Sequence, residues 1–342
     1  MDSISQFVLG ASVAEAFWGK RLGNKALLWG GFLGTLPDLD VIPGYWMQDL
    51  ARIEFHRGPS HSMFLFALIS YPLARVILKV HPKRDLSILS GALGVFFILL
   101  THALLDMCTT WGTKLMWPFS NEAFAWQIVF VVDPLYTLPF LLFLFILLFF
   151  SRQSSWRWRL NSAALFLSTL YLVWCVTAKS IVMDKMKTEL IVFKEPILRV
   201  TARPAPLSSL LWAITAETEK AYHCYYYSLY DTEIQRPMVF LKNHDLRKKW
   251  ENRDDFQQLL RITQSQVLLK EINDGRIGLE VSDLRFGQIG GWSDQNSAFV
   301  FRYFLQGKPF EGRGLSKALP RPSISDNSIF KKLWDRIWGI ET

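Results

Sequence analysis

Cysteine is scarce in this 342-residue chain. Cys108, Cys175 and Cys224 lie far apart and form no CxxC pair. That excludes a thiolate zinc site and a disulfide framework. Charge is sparse as well, at 20% of residues against 50% apolar. The formal net charge of +8 is divided evenly: residues 1–181 hold 14 Lys/Arg and 10 Asp/Glu, and residues 182–342 hold 24 and 20. No concentrated basic surface follows, so a nucleic-acid partner is not expected. The chain starts without a basic n-region, Asp2 being its first charge, and a cleavable signal peptide is not expected. HExxH is absent, which argues against a zincin-type protease.

What is present is unevenly distributed. Apolar stretches run at about 4–18, 22–36, 62–80, 86–105, 128–150 and 160–181. The last four approach or exceed the roughly 20 residues that span a bilayer core, and the first two are short for a span. Gly30, Gly31 and Gly34 suit close helix packing in the second. Residues 182–342 instead alternate polar and apolar positions in strand-like runs such as 221–230 and 298–305. Asn273-Asp274-Gly275 within 267–283 signals a hairpin. Residues 244–262 and 329–338 read as helices, the second with an aromatic face suited either to a membrane surface or to docking on its own domain. The fold class is therefore a multi-pass α-helical membrane bundle (1–181) followed by a soluble α+β domain (182–342).

Basic residues set the expected orientation. Lys20, Arg21 and Lys25 follow the first stretch, Arg75, Lys79, Lys83 and Arg84 the third, and Arg152, Arg157 and Arg159 the fifth. By the positive-inside tendency these loops face the cytoplasm. Loops 37–61 and 106–127 and the C-terminal domain then lie outside the plasma (inner) membrane.

The remaining ionisable residues gather at the opposite ends of the stretches. Asp38 and Asp40 end the second, His56 and His61 precede the third, His102 and Asp106 end the fourth, and Asp133 lies near the start of the fifth. Ionisable groups at membrane depth are costly and usually functional. His102 and Asp106, four apart, share a helix face and can reach one cation. Pro37-Asp38-Leu39-Asp40 fits an extended turn with both carboxylates available. His56-Arg57-Gly58-Pro59-Ser60-His61 is a tight loop entering a helix, with Ser60 suited to N-cap it and Arg57 to bind an anionic substrate group or a carboxylate. Asp133-Pro134 fits a helix start, with capping and ligand duty both open. Glu15 falls toward the cytoplasmic end and is left out.

In order, Gly10, Pro37-Asp38-Leu39-Asp40, His56-Arg57-Gly58-Pro59-Ser60-His61-Ser62, Thr101-His102-Ala103-Leu104-Leu105-Asp106, Thr110-x-Gly112, Trp117-Pro118-Phe119 and Asp133-Pro134-Leu135-Tyr136 resemble the bacterial membrane-bound metal-dependent hydrolases, better known as a LexA-regulated inner-membrane hydrolase family. The resemblance covers roughly residues 1–180. It implies distant similarity to zinc-dependent phospholipase C and the single-strand-specific P1-type nucleases, whose His-x-x-x-Asp pair matches His102 and Asp106. Gln6 stands where many members have a histidine, replacing an imidazole by a poorer amide donor.

The expectation is a metal-dependent hydrolase in the inner membrane. One or more divalent ions, zinc by donor chemistry, are expected on Asp38, Asp40, His56, His61, His102 and Asp106. Asp38 or Asp133 is expected to orient or deprotonate water, and Arg57 to bind substrate. The partners are the lipid bilayer and a lipid-linked or other phosphoester at headgroup level. Two other classes stay open: a scaffold or sensor with a structural metal, favoured by a closed coordination shell, and a metal or proton transporter, which requires polar residues descending through the bilayer. Pro59-Ser60-His61 lacks the Gly of the lipid-phosphatase Pro-Ser-Gly-His signature.

Overall fold

The computed structural model describes the chain except residues 192, 194, 274–276, 295, 310–315, 323–327, 341 and 342. Eight α-helices come first: α1 (Ser3–Leu22), α2 (Asn24–Thr35), α3 (Val41–Gly44), α4 (Asp49–Phe55), α5 (Met63–Val80), α6 (Ile88–Met107), α7 (Pro134–Leu147) and α8 (Ser155–Leu190). A 3-10 turn, Leu36–Asp40, follows α2, and another, Pro59–His61, precedes α5. Two compact units emerge. One comprises Met1–Pro43, Phe55–Thr177 and Pro206–Ser209, the other Gly44–Glu54, Ala178–Ala205 and Leu210–Thr342.

In the helical unit, α1 is the core. Asp2 caps it by accepting from the amides of Ile4 and Ser5. It packs on α2, α6 and α7 and buries residues all around its surface, including Glu15. Its contact with α2 depends on glycine. A Cβ on Gly10 would sit 2.3 Å from the Gly30 carbonyl oxygen, and one on Gly30 would sit 2.2 Å from the Gly10 oxygen. Backbones touch there, and only hydrogen leaves room.

Among the described residues, α5, α6 and α8 are long and apolar enough to cross a membrane. The fifth apolar stretch does not become a full-length span. Its helix α7 has 14 residues, about 21 Å against a hydrocarbon core of roughly 30 Å. Asp133 explains the late start. Its carboxylate accepts from the amides of Leu135 and Tyr136 with Pro134 at the first helical position, while Ile128 and Val129 remain outside and donate to the Cys108 carbonyl. The second stretch forms only the 12-residue α2.

The other unit holds two four-stranded antiparallel meanders. The first runs β1 (Ile197–Pro204), β2 (Leu211–Thr218), β3 (Ala221–Ser228), β4 (Met238–Leu241). After the helices α9 (His244–Trp250) and α10 (Asp254–Ile262) comes the second: β5 (Val267–Asn273), β6 (Ile277–Asp283), β7 (Arg302–Gln306), β8 (Ser316–Ala318). A helical bundle followed by an α+β domain is thus the observed architecture. Two details differ from the pattern reading. Residues 244–262 form two helices, because buried Arg253 adopts an extended conformation between them and donates to Asp255 and to the carbonyls of Gln306 and Lys308. The strand expected over 298–305 begins only at Arg302. The hairpin register pairs Asn273 with Ile277, and its turn residues 274–276 lie outside the described residues. The final helix, α11 (Ser328–Ile337), docks Leu333 and Ile337 on Ala205 and Leu211, while Trp334 and Trp338 stay exposed.

Candidate metal centre

The helical unit has two chemically distinct ends. At one, the turn after α2, the turn before α5 and the last turn of α6 bring Asp38, His61, His102 and Asp106 together. One donor atom from each lies within 4.8 Å of all the others. His61 Nε2 is 3.6 Å from Asp38 Oδ1 and 3.3 Å from Asp106 Oδ2; His102 Nε2 is 3.6 and 3.9 Å from the same two atoms. The two Nε2 atoms are 3.0 Å apart. His61, His102 and Asp106 are buried, and the Asp38 side chain keeps 21% of its exposure.

The residues behind these four fix which ring nitrogen carries a proton. Asp40 Oδ2 receives the Arg57 amide at 3.0 Å and the Ser60 hydroxyl at 2.6 Å, and Oδ1 faces His56 Nδ1 at 2.7 Å. A carboxylate only accepts, so the Ser60 proton points to Asp40. The hydroxyl oxygen therefore accepts from His61 Nδ1, 2.9 Å away. His102 Nδ1 lies 2.6 Å from the Gly34 carbonyl oxygen, which also only accepts. Both neutral rings are thereby held with Nδ1 protonated and Nε2 bare, as hydrogen-bond assignment requires. Two bare lone pairs then face each other beside two carboxylates. Without a cation or an added proton between them the arrangement is repulsive.

The surrounding carboxylates show the same demand for a positive group, which a proton meets where no ion is bound. Burial opposes charge on Asp38, yet the imidazoles of His102 and His61 hold its carboxyl below the ordinary range. Burial also opposes charge on Asp40, and His56 and Ser60 hold it down. Burial disfavours protonation of His61, but the carboxylates of Asp106 and Asp38 push it upward.

The sequence candidates thus separate. Asp38, His61, His102 and Asp106 converge. Asp40 and His56 stand behind His61 through Ser60. Ser60 was expected to cap α5; Ser62 caps it instead, accepting from the Leu65 amide, which frees Ser60 for its bridge. Arg57, 5% exposed, has Nε 2.9 Å from Asp106 Oδ2 and donates from Nη1 to Thr109. Asp133 caps α7 and accepts from the Tyr171 hydroxyl at 2.8 Å. Gln6, in the place of the family histidine, donates to Asp106 Oδ1 at 2.9 Å and to the His102 carbonyl. The Met1 amino group also pairs with Asp106 Oδ1. The roles of Ser60, Thr109 and Met1 had no sequence signal beyond proximity to the motifs.

The family model of the YdjM inner membrane proteins matches residues 1–182, just over half of the chain. The chain belongs to the YdjM inner membrane protein family. Inner membrane protein YbcI of Escherichia coli (strain K12) is 34% identical over 134 residues, covering 36% of this chain and 76% of the relative. No solved structure matches the chain. In this YdjM-family protein the family match contains every residue of the Asp/His cluster, and an inner-membrane location follows from the family and the three apolar helices.

Proposed function

We propose that this protein is a membrane-embedded metal-dependent hydrolase whose ion sits among Asp38, His61, His102 and Asp106. The facing bare Nε2 atoms carry the reading. Zinc bonds of about 2.0–2.1 Å in a tetrahedron separate donors by roughly 3.3–3.4 Å. The five separations of 3.0–3.9 Å bracket that value. A bound zinc ion would lower the pKa of its water and polarise a phosphoryl or acyl oxygen.

The chain's own residues divide the remaining work. Ser60 and the Gly34 carbonyl lock the two rings in the tautomer that presents Nε2. Arg57 and Gln6 hold Asp106 in place. Asp38, the most exposed of the four, would orient the attacking water where its carboxylate is not taken up by the ion. A phosphoester with a lipid tail is the substrate class, because the cluster lies at a helix-terminal, headgroup-level position. The cluster and the two-sheet domain lie on the outer side, opposite the basic loops.

A second reading rests on the donor count. Four protein ligands close a tetrahedral shell, as in structural sites, and would make the protein a scaffold or sensor. Metal analysis of detergent-purified wild-type, His61→Ala and His102→Ala proteins tests the site, with turnover of phosphodiesters and lipid phosphates as the second arm. Equal metal content in all three removes the centre. Metal that depends on both histidines, without turnover across the panel, selects the structural reading.

A further inference from the structure

The opposite end of the helical unit carries a second feature, independent of the Asp/His cluster. From Gln6 to Lys20 along α1 is about 21 Å at 1.5 Å per residue. There the last turn of α1, the loop before α8 and the first turn of α8 enclose a cavity of about 210 Å³, far larger than the roughly 10–15 Å³ that admits one water. Its floor is a closed ion pair. Arg157 Nε and Nη2 each donate to Glu15 at 2.7 Å, and Nη1 donates to Asn24 Oδ1 and the Phe150 carbonyl. That pair leaves no charge over.

The walls do. Lys20, Arg21 and Arg152 line the same cavity, and no Asp or Glu lies within salt-bridge distance of any of them among the described residues. Arg152 Nη1 donates to the Arg21 carbonyl at 3.0 Å, which brings the loop guanidinium to the end of α1. The dipole of α1 accounts for Lys20 and Arg21 at its C-terminal turn, but not for Arg152, which lies outside any helix. Ser154, the residue just before α8, lines the cavity, so the positive end of that 36-residue helix adds to the same field. Trp158 lines the cavity, and it and Trp156 are 60% and 57% exposed, the placement of interfacial tryptophans.

We propose that this cavity binds the phosphate of an anionic glycerophospholipid, with Lys20, Arg21 and Arg152 around the phosphate and the tryptophans at the boundary with the acyl chains. Basic pockets between membrane helices hold lipid headgroups by this chemistry. Under the positive-inside reading the lipid belongs to the cytoplasmic leaflet.

The test uses the full chain in detergent, with dioleoylphosphatidylglycerol or dioleoylphosphatidylcholine added and retained lipid counted by native mass spectrometry. Phosphatidylglycerol should be retained at about tenfold lower concentration. Arg21→Gln/Arg152→Gln should abolish that preference, and Lys83→Gln/Arg84→Gln, which removes the same charge from the loop between α5 and α6, should keep it. Equal retention of the two lipids by the wild type overturns the proposal, as does equal loss in both double variants. Inorganic phosphate bound without any lipid preference assigns the cavity to a soluble anion and also overturns it. If the cavity variants fail to fold, the wild type decides: a phosphatidylglycerol preference weakened by about 0.5 M salt supports the site, and one indifferent to salt rejects it.

Discussion

His61 and His102 present their Nε2 atoms to each other at 3.0 Å while each Nδ1 is already committed, one to Ser60 and the other to the Gly34 carbonyl. In the proposed centre Ser60 would touch no ion; it sets the tautomer of the proposed ligand His61. Ser60→Ala should therefore keep the fold and weaken zinc binding by about 10–100-fold, the usual effect of removing a ligand's hydrogen-bond partner. Competition with a chromogenic chelator measures it. An unchanged affinity would show that His61 is oriented by packing alone.

Asp133 provides a contrast, because sequence spacing left capping and ligand duty both open. The structure gives its carboxylate three donors, the amides of Leu135 and Tyr136 and the Tyr171 hydroxyl, and burial raises its pKa. Asp133→Asn retains an acceptor for the cap and should leave metal content at the wild-type level. Asp133→Ala should cost about 1 kcal/mol of stability, read as a lower melting temperature in detergent. Loss of metal in Asp133→Asn would return this residue to the centre.

The motifs made the cluster legible for a physical reason. His102 and Asp106 share a helix face by spacing alone, and helix-end polar residues in an apolar chain have few places to go. The division of labour was not legible. Asp40 and Asp38 are two residues apart in one turn, yet one faces Ser60 and His56 and the other faces the imidazoles; only the 3-10 geometry separates them. Nor did apolar length reveal that α7 would be cut to 14 residues by its own cap. Glu15 and Arg157, 142 residues apart, carry no pattern that announces their pairing.

That pair is a deeply buried ion pair of the bundle, with side chains 4% and 2% exposed. Removing one partner strands the other's charge. Glu15→Leu or Arg157→Met should each cost about 3–5 kcal/mol, whereas Glu15→Leu/Arg157→Met should recover most of the loss. Thermal unfolding of the four proteins in one detergent gives the cycle. Additive single losses in the double variant would contradict a coupled pair.

The α1–α2 contact makes a steric prediction that reaches the metal centre. Gly34 supplies the carbonyl that orients His102, and a Cβ on it would lie 2.6 Å from the Gln6 carbonyl oxygen. Gly34→Ala must push the helices apart, at about 1–3 kcal/mol for overpacking, and carries the carbonyl away from Nδ1. Lower melting temperature and weaker metal binding should appear together. A Cβ on Gly31 would come nearest to the Phe7 ring, a side chain and not backbone, and Gly31→Ala should spare metal binding; metal loss in both variants would mean that general loosening, not the Gly34 carbonyl, is responsible.

In the two-sheet unit, Glu217 on β2 receives Arg199 Nη2 at 2.7 Å and Lys242 Nζ at 2.8 Å. Burial works to raise its pKa, but the two cations prevail and hold it below the ordinary value of 4.5. A carboxyl whose folded pKa is depressed stabilises the fold at pH values above its unfolded pKa. That contribution fades as pH falls from about 4.5 through the folded value. Glu217→Gln should therefore unfold more easily than the wild type at pH 7, and the difference should shrink steadily on acidification below pH 4.5. Unfolding of both proteins monitored across that range by the circular dichroism of the sheets reads it directly. A gap that stays constant with pH would mean that the carboxylate contributes packing and no charge.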